Sequence, residues 1–106
     1  MRLGAYPCNL KNYTKAHSIY KVSSIFERHR HRFEFNNNFL EEFECKGMIA
    51  SGINPRENLV EIIELNEHPW FIGVQFHPEY KSTVAKPHPL FVSFLEAAIK
   101  HSNDNL

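Results

Sequence analysis

Cysteine is nearly missing from this chain: there are two in 106 residues, Cys8 and Cys45. They lie far apart and form no CxxC, so one bridge is the most they could make. A disulfide framework is excluded, and a reduced, cytoplasmic protein fits better. Net charge is missing too. Twelve Lys and Arg balance twelve Asp and Glu, so nothing indicates long-range attraction to nucleic acid or to an anionic membrane. No run of about 18 apolar residues occurs, so no segment reads as a membrane span. Residues Met1–Pro7 lack the apolar stretch of a signal peptide. Repeats are absent, and low complexity is confined to Asn36-Asn37-Asn38.

What is present suffices for one small domain or part of one: 42% apolar residues, among them nine Phe that help fill a modest core. Met1 to Leu10 reads as a short strand interrupted by Pro7, hence an edge strand or a bent one. Asn12 to Tyr20 reads as a turn followed by a short strand or helical turn around Ile19 and Tyr20. Val22 to Glu27 leads into the alternating basic string Arg28-His29-Arg30-His31-Arg32, followed by the β-prone Phe33 and Phe35. The Asn36–Asn38 run offers an N-cap to a helix through Leu40-Glu41-Glu42-Phe43-Glu44, with Gly47 suited to end it. Met48 to Ile53 is a short strand closed by Asn54-Pro55. Asn58 to Leu65 is nearly continuously apolar, as a central strand should be. Trp70 to Phe76 returns after a short turn, which suits an antiparallel neighbour. After a polar loop, Pro89 opens a helix whose apolar face (Leu90, Phe91, Phe94, Leu95, Ala98, Ile99) is read as core packing to about His101. A frayed tail, 102–106, follows.

The stretch with chemical promise is Gly73-Val74-Gln75-Phe76-His77-Pro78-Glu79-Tyr80. An apolar run stops at a histidine, with a carboxylate two residues on. Pro78 between them cannot continue a regular strand. His77 and Glu79 at the end of a rigid strand could act as a base and the carboxylate that orients it. Taken alone, His-x-Glu is weak, since a loop histidine beside a surface glutamate is the ordinary case. A metal site from His29, His31 and His77 is conceivable but nonspecific, and none is expected. The basic string could also be a solvated strand or a phosphate-contacting patch.

Gly73-Val74-Gln75-Phe76-His77-Pro78-Glu79 resembles the C-terminal signature of class I glutamine amidotransferases, in which a Cys-His-Glu triad hydrolyses glutamine to glutamate and ammonia. Glu27-Arg28-His29-Arg30-His31-Arg32-Phe33-Glu34-Phe35-Asn36 resembles the CTP synthase branch more closely than any other. Met1-Arg2-Leu3-Gly4-Ala5, Leu59-Val60-Glu61-Ile62-Ile63-Glu64 and His68-Pro69-Trp70-Phe71 agree with it. The resemblance implies an α/β fold: the C-terminal half of a class I amidotransferase domain, a mixed sheet with flanking helices, incomplete and spanning residues 1–101. It implies His77 and Glu79 as the triad base and its partner, with Arg32 and Phe33 at the glutamine pocket. The family more often shows Tyr at the position of Phe33, so a side-chain hydroxyl contact is lost there. For the complete enzyme it implies CTP made from UTP with ATP and Mg²⁺, GTP as activator, and a homotetramer.

The nucleophile should sit in a Gly-x-Cys-x-Gly turn between strand and helix. That text does not occur here, nor does a glycine-rich oxyanion segment or a phosphate-binding motif. The expectation is therefore two-thirds of a triad, inactive alone, needing the remainder of a CTP synthase chain. The alternative is a non-catalytic binding protein or split subunit derived from an amidotransferase. Exposed apolar faces and unpaired edges are expected in either case.

Overall fold

The computed structural model describes residues 2–104; Met1, where the first strand was expected to begin, and the last two residues of the expected tail lie outside them. Five strands form one sheet in the order β2-β1-β3-β4-β5, comprising β1 (Arg2–Leu10), β2 (Ser24–His31), β3 (Met48–Asn54), β4 (Leu59–Leu65) and β5 (Ile72–Val74). The helices are α1 (Lys15–Tyr20), α2 (Leu40–Cys45) and α3 (Pro89–Asp104). The expected α/β architecture with flanking helices is present. Every pairing among the described strands is antiparallel, where the resemblance implied a mixed sheet; only the β3–β4 and β4–β5 pairs follow from short connections.

Pro7 acts as its chemistry demands. Up to Cys8, β1 has only β2 as a strand partner, and β3 joins it at Asn9 and Leu10 alone. The missing N–H of Pro7 therefore falls where the ladder has one open side. β4 lies between β3 and β5, the central place its apolar run suggested. Gly52 in β3 is required by close approach: a Cβ there would stand 2.7 Å from Ile62 and 2.8 Å from the Cys8 sulfur. These residues belong to the core of Cys8, Leu10, Ala16, Ile25, Ile62, Phe76 and Leu90.

The segment after β1 resolves to a helix. Thr14 caps α1 by accepting from the His17 amide at 3.1 Å. The Glu64 carboxylate of β4 accepts from the amides of Lys15 (2.9 Å) and Ala16 (3.1 Å), meeting the donors an N-terminus leaves open. α3 is anchored by His88. Its Nδ1 accepts from the Leu90 amide at 3.1 Å, so Nε2 bears the proton and donates it to buried Glu27. Tyr20 also donates to Glu27, at 2.6 Å. Burial, with this contact second to it, drives the Tyr20 phenol pKa well above its ordinary range.

Two expectations change. The strand expected over Trp70–Phe76 pairs only at Ile72–Val74, because Trp70 turns instead to α3, stacking edge-on against Phe94 and donating its indole N–H to Ser93 at 2.8 Å. The apolar face of α3 is not core. Only Leu90 is buried, while Phe94, Leu95 and Ile99 are 51, 59 and 61% exposed. Helix periodicity identifies an apolar face but does not say what covers it. α3 also runs to Asp104, past the expected end near His101.

Candidate active site

His77 sits where β5 has ended and a single helical turn, Pro78–Lys81, begins. Pro78 takes the first position of that turn, where its missing N–H costs nothing. The turn brings the Glu79 carboxylate within 2.9 Å of His77 Nδ1. The imidazole stacks on Tyr80, centroids 4.9 Å apart and planes 15° from parallel. Two backbone contacts fix the loop to the outer edge of β2: the His77 amide donates to the Arg28 carbonyl at 2.9 Å, and Lys81 Nζ donates to the Phe26 carbonyl at 2.6 Å. His77 is half-buried and Glu79 exposed. The hydrogen bond from His77 lowers the Glu79 pKa, keeping it a carboxylate. With Nδ1–H committed to Glu79, the imidazole is held in one tautomer and Nε2 is the basic nitrogen. Among the described residues Nε2 makes no hydrogen bond. A base aimed outward and oriented by a carboxylate can take a proton from a thiol or hydroxyl brought to it.

Arg32 follows β2 and is exposed, with no ion-pair partner among the described residues. Phe33, 81% exposed, lines a cavity of about 320 Å³ with Phe35, Val60, Ile63 and residues Gly73–Gln75. The structure thus brings the segment after β2 and the strand leading to His77 to one cavity wall. Arg32 adjoins Phe33 in the chain but does not line that cavity.

Neither cysteine has the surroundings of a nucleophile. Cys8 is fully buried, and burial together with Glu61 and Glu27 pushes its thiol pKa up to about 12. Cys45 is exposed at the end of α2, away from any helix N-terminus.

Sequence reasoning missed a buried polar cluster. The alternation of β2 turns His29 inward, while Arg28 and Arg30 stay at the surface. His29 Nδ1 lies 2.8 Å from His31 Nε2, and His29 Nε2 lies 3.0 Å from a Glu61 oxygen. Arg2, 6% exposed, binds Glu61 and reaches Glu34 at 3.4 Å. The signal was in the sequence: a glutamate inside an otherwise apolar strand must find a partner when buried. Ligand atoms of His29, His31 and Glu61 lie within 4.8 Å of one another. Yet His29 offers opposite ring nitrogens to its two neighbours, so no single ion can take all three without rearrangement. His77, which the sequence made a conceivable but unexpected third member of a histidine site, is not in this cluster; Glu61 stands there instead.

Comparison with known proteins gives the chain a family. The family model described as "Glutamine amidotransferase class-I" matches residues 1–97. CTP synthase of Flavobacterium psychrophilum is 63% identical over 103 residues, 97% of this chain and 19% of that protein. CTP synthase of Bdellovibrio bacteriovorus is 60% identical over 94% of this chain, again 19% of the relative. Among solved structures, a Trypanosoma brucei CTPS glutaminase domain with bound acivicin superposes with a TM-score of 0.88 at 35% identity, covering 94% of this chain and 40% of that one. The chain spans 19% of the length of these curated relatives. It belongs to the class I glutamine amidotransferase family, and within that family it is similar to the glutaminase domain of CTP synthases.

Proposed function

We propose that this chain supplies the base and orienting carboxylate of a glutaminase, with one wall of its glutamine site, to a CTP synthase of the cytoplasm. The observation that carries this reading is the 2.9 Å contact between His77 Nδ1 and Glu79 on a loop pinned to β2. A cysteine thiol from another segment gives its proton to His77 Nε2 as the thiolate attacks the glutamine side-chain amide. The imidazolium, stabilised by Glu79, then returns that proton to the departing ammonia. Arg32 meets the α-carboxylate of glutamine with its fork of N–H donors. Phe33 contributes an apolar face.

For the whole protein the proposal is CTP formation from UTP, ATP and that ammonia, in a homotetramer. The residues here do not fit Mg²⁺ or ATP. Mg²⁺ takes an octahedral oxygen shell, whereas the His29–His31–Glu61 cluster offers imidazole nitrogens. No glycine-rich phosphate loop occurs. Those ligands belong to another part of the enzyme.

A hybrid tests the reading. This chain replaces the matched segment of the Flavobacterium psychrophilum relative, and glutamate release from glutamine is followed. Release that survives Cys8→Ala and Cys45→Ala but fails in Glu79→Ala is expected. No release from a folded hybrid, or release lost with either cysteine, overturns it.

A further inference from the structure

We propose that Tyr80 is a positioning residue of the glutaminase site, its ring stacked on His77 so that the imidazole keeps the plane in which Nε2 meets the thiol; this rests on the proposed role of His77 as the base.

The local sequence builds the stack. Pro78–Lys81 form one turn of 3₁₀ helix, and His77 stands just before it in extended conformation. Such a helix has three residues per turn, so side chains three apart lie one above the other. His77 and Tyr80 are three apart, and the Tyr80 amide closes the turn by donating to the His77 carbonyl at 3.1 Å. The two rings therefore face each other, with centroids 4.9 Å apart and planes 15° from parallel. Offset stacking is a favoured aromatic geometry. Lys81 fixes the far end of the turn, its Nζ donating to the Phe26 carbonyl of β2 at 2.6 Å. Tyr80 is 48% exposed and stands outside the core, so packing stability does not account for its place.

Two restraints then act on one imidazole, in different directions. The 2.9 Å contact of Nδ1 with Glu79 lies at the ring's edge and governs rotation about the Cβ–Cγ bond. That contact is exposed, so water competes with the carboxylate for the N–H. It also resists tilting of the ring only weakly. The stack acts along the ring normal and opposes that tilt. Tyr80 supplies the restraint through its face, since its hydroxyl makes no hydrogen bond among the described residues. A second effect has the same sign. On taking the thiol proton, His77 becomes a cation against the Tyr80 ring, and the negative π-face favours that charge. Both effects are felt most in the reacting complex, so they bear on kcat more than on glutamine binding.

The test has two arms. In the hybrid, Tyr80→Leu should lower kcat for glutamine hydrolysis about tenfold, with KM within about twofold. Tyr80→Phe keeps the ring and drops the hydroxyl, and it should recover most of that loss. In the ¹⁵N-labelled chain at about pH 9, above the ordinary imidazole range, nuclear Overhauser contacts should join the His77 and Tyr80 rings, and His77 should carry its proton on Nδ1. Tyr80→Leu should turn that single tautomer into a mixture, and Tyr80→Phe should keep it single. An unchanged kcat in Tyr80→Leu, a Tyr80→Phe hybrid as slow as Tyr80→Leu, a parent without ring contacts, or a single tautomer that survives Tyr80→Leu overturns the proposal. A hybrid releasing no glutamate overturns the functional reading instead, and the spectroscopic arm still decides whether Tyr80 positions His77.

Discussion

Replacing Glu61 with Gln should change how stability depends on pH, in a direction opposite to the usual loss of an ion pair. Glu61 is 2% exposed, and its folded pKa is raised to about 7 from an ordinary 4.5. Its contribution to stability is therefore fully present below 4.5 and lost as pH rises through about 7. The gap is worth roughly 3 kcal/mol across that window at 1.36 kcal/mol per pH unit. His29 runs the other way. Its folded value is depressed to about 4 from 6.5, so its contribution is present above 6.5 and lost as pH falls through about 4. In the native chain the two slopes oppose between pH 4.5 and 6.5, and the pair contributes little net pH dependence there. Glu61→Gln removes one slope and leaves the other. Variant and parent should have similar urea midpoints near pH 4.5, followed by Trp70 fluorescence. By pH 8 the variant should be more stable by roughly 2–3 kcal/mol. Parallel profiles with the variant weaker at every pH would show that Glu61 is ionised in the folded protein at neutral pH, against the effect of its burial.

Three further outcomes follow from the packing. Gly52→Ala places a Cβ against Ile62 and the Cys8 sulfur and should cost about 1–3 kcal/mol in urea unfolding; a neutral change would mean that β3 and β4 are looser than described. Thr14→Ala removes the side-chain cap of α1 and should cost about 1 kcal/mol, read from the same melts. Native protein treated with iodoacetamide should be alkylated at exposed Cys45 and spared at buried Cys8; equal rates at the two thiols would contradict the core assignment.

The sequence was most legible where one residue's chemistry has few solutions. His77, Pro78 and Glu79 announced a strand end with a paired imidazole and carboxylate, and the structure closes that pair. Pro7 announced a strand with one open side. Legibility failed where an outcome depends on partners remote in sequence. The apolar stripe of α3 is clear, yet its exposure depends on what lies opposite. Glu61 and Glu64 interrupt the apolar run of β4, and the sequence does not say what meets them. They are buried because Arg2 and His29 meet one of them and the α1 amides meet the other. Trp70 was assigned to β5 by its β propensity, but its indole N–H finds a partner on α3 instead, so the strand starts two residues later. Propensity is a weak guide against a specific tertiary hydrogen bond.

Steady-state glutamine hydrolysis by the hybrid with His77→Ala tests most directly whether His77 is the proton-transferring base of a glutaminase. A fall in kcat of about 10²- to 10⁴-fold, with KM changed only a fewfold, is the predicted result. A His77→Ala hybrid that folds like its parent and hydrolyses glutamine at the parent's rate would contradict the account.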